Sequence, residues 1–238
     1  MKRWGLLFLL AACNAPVQPA AKAPMRAATG MEWLEGHWHA AQQDATWMTV
    51  GGVLWGVAIE DGGYEVSYIE HGALTSLANG DKPQTFALHK ITNDQIVFDQ
   101  ITMTRTPGGW HGKFEMASVP ATHVDEIERA DREFAADVQR DGVEGWMKHF
   151  DDHGAMWRKD HRVEGLDEVR TSAAKTLGAG ELRWEPVASG ARGDLGFTLG
   201  AATFEPGGKP EPLTYCTIWK HEADGSWKVL FDIGRPAE

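Results

Sequence analysis

The apolar residues of this chain change their period once, near Val119-Pro120, and that change sets what the chain can fold into. Upstream, from Met31 to Met116, apolar and polar residues alternate in short runs such as Gly63-Tyr64-Glu65-Val66-Ser67-Tyr68-Ile69. A period of two places successive side chains on opposite faces of a strand. Turn formers divide the runs at Gly51-Gly52, Asp61-Gly62-Gly63, Asn79-Gly80-Asp81 and Pro107-Gly108-Gly109. Short strands at this even spacing predict an all-β antiparallel barrel over residues 30–117, with Gly109 to Met116 as its last strand. Downstream the period becomes helical: Val124, Ile127, Phe134 and Val138 share one face, opposite Asp125, Glu128, Arg132 and Arg140. A second short helix would carry Val143, Trp146 and Phe150, and a third runs from about Leu166 to Leu177 before Gly178. Four strands follow, so residues 120–236 read as a separate α+β domain.

The last two strands are the most legible. Tyr215 to Lys220 and Trp227 to Ile233 flank Ala223-Asp224-Gly225, a hairpin signal with residues that tolerate a tight reversal. Along the first strand Tyr215, Thr217 and Trp219 share one face, and Cys216 and Ile218 the other. Asp232 stands inside the second apolar run, where an uncompensated carboxylate is expensive to bury.

Particular residues carry two family resemblances. Helix, helix, a short extended piece, helix and four strands, together with Trp184-x-Pro186, Gly193-Asp194-Leu195-Gly196-Phe197, Tyr215-x-Thr217-x-Trp219-Lys220 and Asp224-Gly225-x-Trp227, resemble the nuclear-transport-factor-2-like superfamily. Within it the segment is most similar to SnoaL-like proteins and domain-of-unknown-function family 4440. The resemblance implies a cone-shaped α+β fold that usually builds a pocket. It also leaves room for a homodimer through the curved sheet. Trp33-Leu34-Glu35-Gly36-His37-Trp38, with Trp47, Gly51-Gly52 and Gly56, resembles the lipocalin-like domain-of-unknown-function family 6265, which implies a β-barrel for the first domain.

The N-terminus reads as a targeting segment. Lys2-Arg3 precedes a short apolar run from Trp4 to Leu10, much shorter than the roughly 20 residues a membrane span needs. Leu10-Ala11-Ala12-Cys13 looks like a bacterial lipobox, which would lipidate Cys13; the alternative is a plain secretory signal cut after an Ala. Residues 1–13 would be the signal and residues 14–29, rich in Ala, Pro and Lys, a tether. Asn14 after the lipidation site points to the outer membrane, facing the periplasm, in a two-membrane bacterium. The net charge of −11 argues against a nucleic-acid partner, whose phosphates need a basic face. With Cys13 lipidated, Cys216 is the one thiol left, and its apolar strand marks it as a small buried hydrophobe.

A concave face carrying Tyr215 and Trp219, rimmed by Trp146, Phe150, Trp157 and Trp184, would form an apolar pocket for a small apolar or aromatic molecule. Asp232 is the candidate general base and Tyr215 the candidate oxyanion donor if the domain is an isomerase or cyclase-like enzyme. Equally, Asp232 could simply accept hydrogen bonds at a strand end. His149 and His153 with Asp151 and Asp152 are a weak metal constellation, and His37 and His39 share a strand face expected to meet water. No phosphate-cradling loop, Cys-pair spacing or nucleophile elbow is present, so no cofactor or metal is implied. Three readings follow: a binding protein for a small apolar ligand in one or both domains, an enzyme, or an interaction module using the Cys216 and Ile218 face.

Overall fold

The computed structural model describes residues 30–106 (apart from 42, 61, 71, 72 and 86), 113–115 and 122–238. Cys13, the tether and the Val119-Pro120 junction lie outside these residues. The first unit opens with a 3₁₀ turn, Glu32–Leu34, pinned when the Trp38 indole donates to the Leu34 carbonyl at 2.7 Å. Eight strands follow: β1 (Gly36–Ala40), β2 (Gln43–Val50), β3 (Val53–Glu60), β4 (Gly63–Glu70), β5 (Ala73–Ala78), β6 (Leu88–Lys90), β7 (Gln95–Phe98) and β8 (Ile101–Arg105). All pair antiparallel in the order β5-β4-β3-β2-β1-β8-β7-β6. The β2–β3 hairpin closes on Gly51 and Gly52, both at positive φ (57° and 86°), as a tight two-residue reversal between right-twisted strands requires.

This sheet is a curled half-barrel. Beyond the β5 edge, Ser76 makes one isolated antiparallel bridge to Gln84 in the segment that leads to β6. Its hollow is filled by Leu34, Trp38, Trp47, Leu54, Phe98 and Met103, leaving a cavity of only about 10 Å³ beside Trp47 and Phe98. Where a barrel's ligand space was expected, two indoles and their neighbours close-pack instead.

The second unit contains helices α1 (Thr122–Asp141), α2 (Val143–Lys148) and α3 (Leu166–Ala179). Its strands are β9 (Lys113–Glu115), β10 (Phe150–Arg158), β11 (His161–Glu164), β12 (Gly180–Arg192), β13 (Leu195–Pro206), β14 (Glu211–His221) and β15 (Trp227–Pro236). They form one sheet in the order β11-β10-β15-β14-β13-β12-β9. The short β9 corrects one expectation. It lies in the stretch expected to end the barrel, yet it pairs parallel with Ser189–Ala191 at the edge of the second sheet.

The helices cover one face of the second sheet, and the first sheet covers the other. Trp55, Val57 and Ile59 of β3 pack with Phe197, Cys216, Ile218 and Phe231 in a single core. Trp55 donates its indole N–H to Thr214 at 2.9 Å, and the Tyr64 and Phe231 rings sit 5.9 Å apart. Arginines of the second unit tie down the margin of this seam. Arg162 donates to the Asn79 carbonyl (2.9 Å), Arg235 pairs with Glu70, and Arg192 reaches Asp44 at 2.8 Å. Asp44 is fully buried and also meets His39 (2.7 Å) and His37 (3.6 Å). Burial pushes its carboxyl up, but the hydrogen bonds and charges of the two histidines outweigh that and hold it below the usual range. His37 and His39 thus turn toward a buried carboxylate, not simply toward water. The Cys216 and Ile218 face, expected to be open for pairing, is occupied within the chain.

Candidate functional site

The concave face of the second sheet and the three helices border a half-open cavity of about 190 Å³. Strand alternation decides what reaches it. On β14, Leu213, Tyr215 and Thr217 point inward while Cys216 and Ile218 enter the seam core. On β15, Asp232 and Gly234 point inward while Phe231 and Ile233 enter the seam. The aromatic wall is Phe134 of α1, Trp146 of α2, Trp184 of β12 and Phe204 of β13. Phe134 meets Trp184 edge-on with centroids 4.9 Å apart, and Trp146 lies 6.0 Å from Trp184. Gly200, directly opposite Tyr215 in the β13–β14 register, lets the phenol ring lie against the strand. A Cβ there would overlap that ring.

Two carboxylates stand on this side of the sheet, in contrasting surroundings. Asp232 lines the cavity, its Oδ2 receiving Arg158 at 2.7 Å and its Oδ1 the Thr217 hydroxyl at 3.1 Å. It is an ion-paired wall residue. Asp131 projects from α1 and is completely buried. It accepts the Trp184 indole N–H at 2.7 Å and the Tyr215 hydroxyl at 3.1 Å. Burial is the dominant influence and raises this carboxyl to about 7, against the pull of hydrogen bonds from Thr198, Trp184 and Tyr215. The Tyr215 phenol is pushed well above its ordinary value, first by burial and then by the neighbouring Asp131 charge. The Tyr215 proton is thus committed to Asp131, which changes the expected pairing of Tyr215 with Asp232.

Of the residues expected to build the pocket, Trp146, Trp184, Tyr215 and Asp232 come together around the cavity. Phe150 and Trp219 do not line it. Both sit in the packed layer behind, where Trp219 donates to Thr198 at 2.9 Å. Trp157 is placed on the opposite face, in the seam core, because its neighbours Met156 and Arg158 take the concave side of β10. Sequence reasoning missed Arg158, Phe204 and, most of all, Asp131. The signal for Asp131 was its spacing, four residues after Ile127 and three before Phe134, on the buried stripe of α1. His149 and His153 do not converge: His149 is buried against Asp137 (2.8 Å), while His153 is exposed on β10. Among the described residues no cluster of three or more His, Cys, Asp or Glu is arranged to hold a metal ion.

A family model described as a SnoaL-like domain matches residues 132–230. That match spans most of the second unit, from α1 to β15. Among solved structures, the chain is similar to a ketosteroid isomerase-like protein from Erwinia carotovora atroseptica, at 15% identity and a TM-score of 0.45, covering 50% of this chain and 99% of that one. It is also similar to a nuclear-transport-factor-2-like protein of unknown function from Pseudomonas putida (14% identity, TM-score 0.43, 49% of this chain and 88% of that one). A third such protein, from Shewanella oneidensis, aligns at 13% identity and a TM-score of 0.41, over 46% of this chain and 96% of that one. No curated protein matches the chain.

Proposed function

We propose that this protein binds a small, largely apolar molecule in the concave cavity of its SnoaL-like domain, and that Cys13 carries a lipid holding it at the cell envelope. The observation that carries the binding reading is the cavity itself. A half-open space of about 190 Å³ lined by five aromatic side chains, Tyr215 among them, persists in a domain whose apolar clusters are otherwise packed. The first half, similar to domain-of-unknown-function family 6265, packs behind the pocket, and its own hollow is filled by side chains. The envelope reading rests on Leu10-Ala11-Ala12-Cys13 behind a charged and apolar leader, with Asn14 favouring the outer membrane.

Native mass spectrometry of the gently purified full chain tests the binding reading. The expected result is a reproducible added mass that disappears in Ala202→Phe, which fills the cavity without touching its polar wall. A clean apo mass, together with no saturable binding of any small aromatic probe, overturns it. Recovery of Cys13→Ser in the membrane fraction, with unchanged mass at its N-terminus, would overturn the anchor.

One observation favours acid–base chemistry as a second reading. Asp131, raised to about 7, is joined to the cavity wall through Tyr215 and Trp184, so a proton can be held near neutrality one residue behind the ligand space. Asp232 is less suited to that role, because Arg158 and Thr217 already engage both its oxygens.

A further inference from the structure

Asp131 stands one side chain behind the cavity. Trp184 and Tyr215, which hydrogen-bond its carboxyl, both line the space, so one layer of indole and phenol separates that carboxyl from whatever fills it. Asp131 is fully buried, and its hydrogen bonds come from neutral donors: the Trp184 indole and the Tyr215 and Thr198 hydroxyls.

The charged groups around it are engaged elsewhere. On α1, Glu128 takes Arg132 at 3.3 Å and the Ser189 hydroxyl at 2.9 Å, and Arg132 also reaches Glu185 of β12 at 2.6 Å. On β15, Asp232 takes Arg158 of β10 at 2.7 Å, and its charge disfavours ionisation of Asp131. Tyr215 and, on the other face of β14, Cys216 are held well above their ordinary values and stay neutral. His149, stacked on Phe134 and bonded to Asp137, is held below its ordinary value, first by burial. An ionised Asp131 is thus a buried anion with neutral hydrogen bonds and no cation of its own.

The content of the cavity decides how unfavourable that anion is. The space is half-open, and water in it solvates a charge one side chain away, whereas an apolar occupant does not. Displacing that water also strengthens the repulsion between Asp131 and Asp232. Both changes push the Asp131 carboxyl, already raised to about 7, further up. Linkage is reciprocal, so the protonated protein must bind the apolar molecule more tightly than the ionised one by the same factor. Below pH 7 the proton is in place before the ligand arrives. As the pH rises through 7, binding must either take up a proton or dry the surroundings of an anion, and affinity falls.

We propose that occupancy of the cavity and protonation of Asp131 support each other, so that the protein holds an apolar ligand in mildly acidic surroundings and loosens it in mildly alkaline ones. This rests on the binding reading above and adds its regulation.

Ligand-observed NMR titration of the full chain with toluene, ethylbenzene and indole, none of which titrates in this range, tests it. The tightest of the three should bind about two- to threefold more weakly at pH 8.5 than at pH 6.5, as a rise of ~0.5 pH unit in the carboxyl's titration requires. Asp131→Asn should bind that probe equally at both. Calorimetry at pH 7 in phosphate and in Tris should show uptake of ~0.3 proton per bound probe. Added probe should also enlarge the protonated-carboxyl infrared band at pH 7, which proton uptake by a histidine would not do. Equal affinity at the two pH values, tighter binding at pH 8.5, or a pH dependence that survives in Asp131→Asn overturns the coupling and leaves a binding cavity intact. Saturation by none of the three, with the clean apo mass described above, overturns the binding reading itself. Calorimetry and infrared spectra of the wild-type chain decide the matter even if Asp131→Asn fails to fold.

Discussion

Replacing Asp131 by Asn should stabilise the protein, and more so as the pH rises. The native carboxyl titrates at about 7, against 3.8 for an ordinary Asp. Between those values the unfolded chain has released this proton and the native state has kept it. Because the unfolded state then binds fewer protons, wild-type stability falls with rising pH through that window and levels off above 7. Each pH unit is worth 1.36 kcal/mol, so the whole window amounts to about 4 kcal/mol, of which about 2.7 kcal/mol lies between pH 5 and 7. Asn keeps the shape: its Oδ1 can accept the Trp184 N–H and its amide can donate to the Tyr215 oxygen, while the acceptor that the Tyr215 and Thr198 hydroxyls use is lost, a cost that does not change with pH. Urea unfolding of both proteins at pH 5, 6, 7 and 8 isolates the effect, since other titrating groups cancel in the difference. The advantage of Asp131→Asn should grow by about 2.7 kcal/mol from pH 5 to pH 8. A difference that stays flat with pH, or an Asn variant that loses ground as the pH rises, would show that burial does not dominate at this carboxyl.

Two further outcomes follow from the seam between the sheets. Arg192→Met takes the guanidinium away from the buried Asp44 carboxylate, so it should destabilise by about 3 kcal/mol. Urea unfolding of the two proteins measures the loss, and a difference below about 1 kcal/mol would refute this. The Cys216 thiol is fully buried, and burial, reinforced by the Asp232 and Asp131 charges, holds it well above its ordinary value. Thiol labelling should therefore be at least ~10³-fold slower in the native protein than in urea, and rapid native labelling would mean that the seam opens.

The order of elements in the second unit was legible because its apolar period changes from two to helical and back, and Asp224-Gly225 punctuates it; Gly178, expected to stop the third helix, instead lies inside α3, which runs to Ala179. The contrast is Asp131, whose charge assigns it to solvent by type although its helical spacing assigns it to the core. Spacing prevailed because Trp184, Tyr215 and Thr198 satisfy the carboxyl there. Trp157 illustrates a different limit, since aromatic composition does not say which face of a strand is concave. The joining of the two sheets had a signal in Val53-Leu54-Trp55-Gly56-Val57-Ala58-Ile59, an unbroken apolar run of the kind a strand buried on both faces requires. A lipocalin-like reading explains only one of those faces. The parallel pairing of β9 with β12 left no local trace, because a three-residue strand takes its place from its partner.

The seam also sets an order of events during synthesis. Trp55, Val57 and Ile59 leave the ribosome long before Phe231, which helps to cover them. From Leu77 to Phe231 the chain must grow by 154 residues (231 − 77), roughly 8–30 s at ~5–20 residues per second. Throughout that interval the outer side of the first sheet is an apolar surface awaiting its cover, and the contacts that finally shield it are among the most distant in the chain. Slow closure of this kind exposes a nascent chain to aggregation, so a chaperone holding the first hundred residues would act on the same side chains that later fuse the two halves.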